Sequence, residues 1–291
     1  MRGIDHLVLC VDDLDAARTF YGALGFNLTP AARHPFGTAN SLVQLADFSF
    51  LELLAVEDTS KISAAGPGQF SFGDFNRGFI ESGPGEGFSM LVLDSLDAGA
   101  DLAAFKAAEL TTYEPFGFSR SAKLPDGEEV TVSFSLTFTT HPDLPQAAFF
   151  TCQQHAPEHF WKAEYQRHSN TATGTAEVIV LADQPLKYSS FFQAFVGTDE
   201  ITAWDEGFTV QTGRGSLSVI SPADWKVHFP ETFAPDLDQG PRLAAFRIAV
   251  GDLGAVQECL RANDITRLNY GRGVAVPPGE AFGVAIEFVT N

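Results

Sequence analysis

Hydrophobic residues follow a regular order along the first 56 residues of the chain. Residues 4–11 form a short apolar run rich in β-branched side chains, which predicts a buried strand. Residues 14–24 place apolar side chains at helical spacing, with Asp13 in position to cap the helix and Gly25 to end it. Three strand-like stretches follow, near residues 26–33, 41–46 and 48–56. The pattern therefore predicts a βαβββ unit.

The same order recurs three more times, which is the signature of an internal repeat. The later copies open with apolar strands at residues 88–93, 176–182 and 243–250. In the second copy, Asp94 and Ser95 are expected to cap a helix of residues 96–108. Each helix precedes further strand-like stretches, and the final stretch comprises residues 284–289. The chain is thus predicted to contain four βαβββ modules.

A single module would leave sheet faces exposed, so we expect the modules to pair. Modules one and two are expected to form a first domain, residues 1–165, and modules three and four a second domain, residues 172–291. Residues 156–173 connect the two. They include Phe160 and Trp161, which favour burial, so we expect an ordered crossing segment rather than a flexible linker.

Charge and composition exclude several classes of partner. The chain has 18 basic and 37 acidic side chains, for a net charge of −19, so binding to nucleic acid or to an anionic membrane is not expected. Hydrophobic residues make up 45% of the chain, enough for sizeable cores. The 27 phenylalanines indicate aromatic-lined cores or pockets, which suit a small-molecule substrate.

Cysteine spacing and the N-terminus point to a cytoplasmic protein. Cys10, Cys152 and Cys259 are far apart and odd in number, which argues against a disulfide framework, and without a CxxC pair a structural zinc is not expected. The first residues lack the apolar stretch of a signal peptide, and no run of about 18 apolar residues predicts a membrane span. A homodimer is compatible with these observations.

Three blocks of residues resemble the vicinal oxygen chelate superfamily, which includes glyoxalases, bleomycin resistance proteins and extradiol dioxygenases. The opening block resembles the superfamily broadly, the middle block resembles its glyoxalase-like branch, and the closing block is similar to the last strand of many members. The blocks are Ile4–Val8 with Asp13–Ala17 and Phe20–Phe26, then His34–Asn40 with Phe50–Leu54, and finally Gly283–Phe288. The resemblance implies an α+β fold in which four βαβββ modules pair into two glyoxalase-like domains with curved mixed sheets.

In metal-dependent members of this family, ligands come from the first and last strands of each module. The resemblance therefore implies that His6 and Glu52 bind a divalent metal such as Zn, Ni, Mn or Fe, with Glu52 also serving as the catalytic carboxylate. A third ligand could come from His155 or His34; otherwise the metal has been lost. The alternative is a satisfied core histidine at His6 and a Glu52 paired with an arginine.

The hairpin around Gly37 is expected to contact substrate. His34, Thr38 and Asn40 could hydrogen-bond a substrate oxygen, while the alternative is an ordinary turn between two strands. Cys152 is a further candidate substrate contact, against the alternative of a small buried hydrophobe.

Outside the first module, the expected ligand types are missing. In module two, the positions that match His6 and Glu52 are expected at Phe88 or Ser89 and near Cys152. In the second domain, the position that matches His6 falls near Glu177 in module three and at Ala245 in module four, and Glu287 matches Glu52. That domain is expected to be more degenerate.

These observations favour two functions of different classes. The first is a glyoxalase-like enzyme of the isomerase or lyase type that acts on a small substrate with vicinal oxygens, with metal assistance if a metal is present. The second is a non-catalytic small-molecule binding or resistance protein with an aromatic cleft, to which the Gly- and Phe-rich residues 66–87 could add a lid or a long loop. A ring-cleaving dioxygenase is a third alternative, and it would require two histidines and a carboxylate around iron.

Overall fold

The structure is a computed structural model that describes residues 1–123, 129–230, 232, 234–270 and 273–290. These residues form a mixed α+β fold with two curved, open mixed sheets, which confirms the predicted fold class. The elements of the first half are β1 Ile4–Cys10, α1 Leu14–Ala23, β2 Ala32–Arg33, β3 Thr38–Gln44, β4 Phe50–Val56, α2 Phe72–Glu81, β5 Gly87–Asp94, α3 Ala98–Ala107, β6 Thr111–Thr112, β7 Phe116–Lys123, β8 Glu129–Thr140 and β9 Ala148–Gln154.

A short helix, α4 Pro157–Phe160, leads into the second half. The elements there are β10 Ala172–Leu181, α5 Ser189–Val196, β11 Thr202–Trp204, β12 Gly207–Gln211, β13 Ser216–Ile220, α6 Pro222–His228, β14 Arg242–Val250, α7 Leu253–Ala262, β15 Leu268–Tyr270, β16 Gly273–Val276 and β17 Ala285–Val289. Three-residue and four-residue 3₁₀ turns lie at Thr59–Lys61 and Pro185–Tyr188.

Each sheet is built from two modules that meet at their first strands. The first sheet has the order β2-β3-β4-β1-β5-β9-β8-β6, with β7 paired to β8. The second has the order β11-β12-β13-β10-β14-β17-β16-β15. In both, the first strand of a module runs parallel to its last strand and antiparallel to the first strand of the other module. The first sheet ends at Gln154 and the second begins at Ala172.

The two halves share one hydrophobic core. One face of each sheet, together with helices from both halves, packs into this common core. Phe149 of β9, for example, contacts Phe192 and Phe195 of α5 with ring centroids 5.6 Å and 5.4 Å apart. The opposite face of each sheet forms a separate apolar cluster. Each half therefore has its own concave face, and the candidate site lies on the first of them.

Helices α2 and α6, and the short α4 of the crossing segment, were not predicted from the pattern. Helix α2 occupies part of the 66–87 segment that the sequence suggests as a lid or loop, and Ser71 caps it by accepting from the backbone N–H of Asp74. Helix α6 follows Ser221, which caps it in the same way, with Pro222 at its first position. Conversely, the strand expected near residues 26–33 is reduced to Ala32–Arg33. Helix α2 covers one side of the concave face, so it shapes the cavity.

The crossing segment is ordered by contacts with β3. Gln44 donates to the Phe160 carbonyl at 2.8 Å and accepts from the Lys162 backbone N–H at 3.0 Å, so both ends of its amide are used. Phe160 is buried. Within the residues that the structure describes, no helix is long and apolar enough to cross a membrane.

His168, in the same segment, makes folding sensitive to pH. Its Nδ1 accepts from the Asn27 backbone N–H at 3.0 Å, and its Nε2 donates to the Gln44 carbonyl at 2.9 Å. Burial lowers the pKa of His168, while the hydrogen bond to Gln44 opposes the shift. The folded state therefore binds this proton less readily than the unfolded state. Stability is full above the unfolded pKa of about 6.5 and decreases as pH falls below it.

We expect the His168→Gln variant to lose part of this pH dependence. In the wild-type protein, His168 contributes at most about 1.4 kcal/mol per pH unit to the slope of the unfolding free energy against pH. Urea denaturation between pH 8 and pH 5 measures it, with His159→Gln as the control because His159 is a partly exposed histidine of the same segment. A slope that is identical in wild type and His168→Gln would contradict this assignment.

Candidate functional site

An irregularity in β1 brings Asp5 and His6 to the same region. Adjacent residues of a strand normally point to opposite faces, but the pairing of β1 with β5 shifts register between Ile4 and His6, as a β-bulge does. Asp5 Oδ2 lies 2.7 Å from His6 Nδ1, and Asp5 Oδ1 accepts from Gln154 Nε2 at 3.1 Å. Asp5 and His6 are 3% and 5% exposed, so this network is shielded from bulk water.

Aromatic rings and Asp5 together orient the His6 imidazole. The ring stacks on Phe50 with centroids 4.3 Å apart and meets the edge of Phe150 at 5.5 Å. An ionised carboxylate only accepts hydrogen bonds, so we assign the hydrogen to Nδ1 of His6 from its contact with Asp5. The Nε2 atom then faces the cavity with its lone pair.

Glu52 lies opposite His6 on β4. Its Oε2 is 3.7 Å from His6 Nε2, and its Oε1 accepts from Asn40 Nδ2 at 2.6 Å. The strand pairing explains this approach, because Glu52 is aligned with Val8 of β1 and Leu42 of β3. Glu52 is 5% exposed. One carboxylate oxygen is therefore held by an amide, while the other faces the imidazole.

The hairpin between β2 and β3 supplies the other polar side chains. His34 Nδ1 is 2.8 Å from Thr38 Oγ1, and His34 Nε2 is 3.9 Å from Glu52 Oε1. Gly37 adopts φ +89°, and a Cβ atom there would lie 2.4 Å from the Asp58 carbonyl oxygen, so the turn requires glycine. The turn and the substrate contact, which the sequence left as alternatives, are compatible in one hairpin.

Apolar rings enclose these polar groups in a cavity of about 50 Å³. That volume holds a few water molecules or a small ligand group. The lining residues are His6, His34, Phe36, Asn40, Leu42, Phe50, Glu52, Phe72, Phe118, Phe134, Leu136, Phe150, Cys152 and Phe160. The polar side chains cluster on β1, β3, β4 and the hairpin, so the cavity has a polar end and aromatic walls.

Cys152 lines this cavity as a neutral thiol. Burial raises its pKa well above the ordinary value, and the charges of Asp5 and Glu52 raise it further. A thiol that stays protonated is a poor nucleophile. Its position allows contact with a bound molecule, but the chemistry of the cavity depends on His6 and Glu52.

The structure corrects the expected counterparts in module two. Asp97, rather than Asp94 or Ser95, caps α3, just as Asp13 caps α1. His6 lies seven residues before the cap Asp13, and Met90 lies seven residues before the cap Asp97, so His6 and Met90 occupy matching positions. The strand pairing agrees, because His6 aligns with Phe50 on the last strand of module one and Met90 aligns with Ala148 on the last strand of module two. Glu52 and Phe150 follow those partners by two residues.

The counterparts are therefore Met90 and Phe150, not Phe88 or Ser89 and Cys152. The prediction was wrong because it placed the start of the helix too early, which displaced the alignment. Phe88 instead belongs to the core shared by both halves, and Ser89 donates to Asn76 Oδ1 at 2.8 Å. Neither Met90 nor Phe150 has a side chain suited to binding a hard divalent ion.

The structure does not bring His155 to the cavity. It lies exposed at the end of β9, where its Nε2 is 2.8 Å from Ser135 Oγ. Among the described residues, no three His, Cys, Asp or Glu side chains converge as a metal site. His6 and His34 approach different oxygens of Glu52. The cavity thus holds two imidazoles and one carboxylate, but the imidazoles lie against opposite oxygens of Glu52 and do not converge on one point, so this donor set does not fit a resident divalent metal.

An ion network occupies the matching concave face of the second half. Glu287 aligns with Arg247 on the neighbouring strand as Glu52 aligns with Val8, so Glu287 is the counterpart of Glu52. Ala245 is the counterpart of His6, because it lies seven residues before the helix cap Asp252. Arg247 Nε donates to Glu287 Oε2 at 2.6 Å, and its Nη1 donates to Glu177. Burial lowers the pKa of Arg247, but the two carboxylates outweigh it and raise the pKa overall.

Arg247 and Asp5 were not among the site residues predicted from the sequence. A signal was available for both, because each is a charged residue inside an otherwise apolar strand, where burial without a partner is costly. The identity of the partners, Glu177 and Glu287 in one case and His6 and Gln154 in the other, depends on contacts between distant strands.

Comparisons with known proteins agree with this fold. Residues 4–196 match the family model described as Glyoxalase-like domain. No curated protein matches the chain. A hypothetical protein from Staphylococcus aureus superimposes over 100% of both chains with a TM-score of 0.69 at 15% identity.

Two further solved structures share the fold at low identity. The Mn(II)-bound glyoxalase from Novosphingobium aromaticivorans matches 100% of this chain and 83% of its own, with a TM-score of 0.57 at 11% identity. A mutant of 4-hydroxymandelate synthase from Streptomyces coelicolor matches 99% of this chain and 92% of its own, with a TM-score of 0.51 at 11% identity. These likenesses support the fold of the whole chain.

Proposed function

Because the chain belongs to the glyoxalase-like domain family, we propose that it is an enzyme of the isomerase or lyase type that moves a proton on a small substrate with vicinal oxygens. The observation that carries this proposal is the arrangement of His6 Nε2 and Glu52 Oε2, which face each other at 3.7 Å inside a buried cavity. That distance is too long for a direct hydrogen bond, so a substrate hydroxyl group can approach His6 Nε2 while the carbon that bears it approaches Glu52 Oε2.

Each polar side chain has a defined part in such a reaction. Asn40 occupies Glu52 Oε1, so Oε2 is the oxygen directed at the substrate. On a 2-hydroxy carbonyl compound, Glu52 removes the proton from the carbon that bears the hydroxyl group. His6 Nε2 takes the hydroxyl proton and delivers it to the neighbouring carbonyl oxygen. Glu52 then returns its proton to the neighbouring carbon, which completes an isomerisation with all atoms conserved.

The aromatic walls define the rest of the substrate. Phe36, Phe72, Phe118 and Phe134 line the cavity beyond the polar end, and they favour a small apolar substituent next to the oxygens. Exclusion of water by these rings also strengthens the electrostatic interactions of Glu52. Candidate substrates are 2-oxoaldehyde adducts, because a hemiacetal-type adduct of a 2-oxoaldehyde is a 2-hydroxy carbonyl compound. We propose a cytoplasmic location for the enzyme, because its three unpaired cysteines would remain reduced there.

Deuterium exchange tests proton transfer directly. We expect the wild-type protein, incubated in D₂O with 2-hydroxy carbonyl compounds such as 2-oxoaldehyde adducts, to incorporate deuterium at the carbon next to the carbonyl, as measured by NMR. Glu52→Gln removes the base and should abolish the incorporation. Glu57→Gln is the matched control, since Glu57 is a partly exposed carboxylate that pairs with Arg33. Binding without any exchange in the wild-type protein would contradict catalysis and favour a binding or resistance protein.

The two alternatives fit the geometry less well. The seven phenylalanines of the lining would suit a binding protein, but a cavity of about 50 Å³ is small for a planar drug with several rings. A ring-cleaving dioxygenase requires two histidines and a carboxylate at one iron. Here His6 and His34 approach opposite oxygens of Glu52, so they do not form that set.

A further inference from the structure

We infer that this site transfers its proton without a resident metal, and that Asp5, clamped by Gln154, is the positioning residue that keeps the lone pair of His6 Nε2 directed at the substrate. This inference rests on the proposed function, because it specifies how the same two side chains work. Two independent observations carry it: the side chains that replace metal ligands in module two, and the hydrogen-bond chain behind His6.

The first observation concerns the half of the site built by module two. Val8 aligns with Met90 on the neighbouring strand, so His6 and Met90 are diagonal neighbours on one face of the sheet. Met90 and Phe150 belong to the apolar cluster of the concave face, and both are buried. The thioether of Met90 and the phenyl ring of Phe150 thus occupy the positions in module two that correspond to His6 and Glu52, where a histidine and a carboxylate would add two metal ligands.

The second observation is the hydrogen-bond chain Gln154–Asp5–His6. Gln154 Nε2 donates to Asp5 Oδ1, and Asp5 Oδ2 receives the Nδ1 hydrogen of His6. Because the amide of Gln154 can donate but the carboxylate cannot, the chain has a fixed direction. His6 is therefore held with its basic nitrogen toward Glu52, and the dyad supplies a proton acceptor through His6 itself.

Metal content tests the first part. We expect the purified wild-type protein to contain substoichiometric metal by elemental analysis, and titration with Mn²⁺, Ni²⁺ or Zn²⁺ in a calorimeter to show no tight site. The double variant Met90→His/Phe150→Glu adds two donors beside His6 and Glu52, so it should bind one ion per chain. Met90→His alone, which adds a third donor, serves if the double variant does not fold.

Stoichiometric metal in the wild-type protein that is lost in His6→Ala would overturn the metal-free site. Folded variants that carry the added donors and bind no ion would overturn the assignment of Met90 and Phe150 as the ligand-matching positions. Neither result affects deuterium exchange by Glu52, so a failure of this inference is distinguishable from a failure of the proposed function.

Imidazole ¹⁵N NMR tests the second part through the Asp5→Asn variant. Gln154 would hold the oxygen of the new amide, so the NH₂ group would face His6 Nδ1 and move the ring hydrogen to Nε2. We expect the pyrrole-type and pyridine-type signals of His6 to exchange places, with a loss of kcat and little change in KM. Asp143→Asn is the control, since it makes the same change at a partly exposed carboxylate that pairs with Lys187 away from the cavity, and the wild-type pattern of His6 should persist there. An unchanged His6 spectrum in folded Asp5→Asn would overturn the role of Asp5.

Discussion

Replacing His6 with asparagine is expected to slow proton transfer by roughly 100- to 10,000-fold, the usual contribution of a positioned general base or acid. Asparagine places an N–H group near the position of His6 Nδ1, so the hydrogen bond to Asp5 can persist. What disappears is Nε2, the atom 3.7 Å from Glu52 Oε2. The deuterium-exchange rate on a saturating substrate measures the loss, and circular dichroism checks that the variant folds.

His155→Asn is the matched control for this experiment. It makes the same chemical change at the histidine that the family resemblance offers as a third ligand, and that residue lies exposed against Ser135 instead of lining the cavity. We expect its exchange rate to equal that of the wild type. A folded His6→Asn variant with wild-type exchange would exclude His6 from the reaction.

Replacing Arg247 with leucine is expected to lower the free energy of unfolding by about 3–5 kcal/mol, since it removes one partner from a buried ion network. The side chains of Arg247, Glu177 and Glu287 are 17%, 16% and 7% exposed. Without the guanidinium, the two carboxylates would face each other with no counter-charge, and both would be largely removed from water. The midpoint of urea denaturation measures the loss, provided that its slope is unchanged.

Two controls separate burial from charge in this prediction. Arg33→Leu breaks the ion pair with Glu57 on an exposed surface, where water screens the charges, so its effect should be far smaller. The triple variant Arg247→Leu/Glu177→Gln/Glu287→Gln removes the charges together and should recover most of the lost stability. Equal losses for the single Arg247 and Arg33 variants would show that the network contributes no more than a surface pair.

The repeated modules were predictable because they depend on local periodicity. Strand β1 is apolar throughout its buried length except for Asp5 and His6, and α1 follows directly after its cap Asp13. Such signals lie within a few residues of each other. Helix α2 was missed because Gly73 and Gly78 lower helix propensity, while its cap at Ser71 and its burial over the cavity depend on the surrounding fold.

For the candidate site, the family resemblance in the sequence singled out His6 and Glu52, the hairpin from His34 to Asn40 was a further candidate, and the structure brings these residues together around one cavity. Residue type and strand alternation, which are local properties, supported the choice, since a histidine and a glutamate in apolar strands are costly to bury without partners.

Only the tertiary structure decided what surrounds those residues. The helix cap lies at Asp97 and not at the predicted Asp94 or Ser95, so the residue that corresponds to His6 is Met90. The difference matters because side-chain direction along a strand depends on register. The orientation of Asp5 depends on a bulge and on Gln154, which is 149 residues away in the chain. Contacts between distant strands leave no periodic trace in the sequence, so the donor set of the site became evident only from the folded chain.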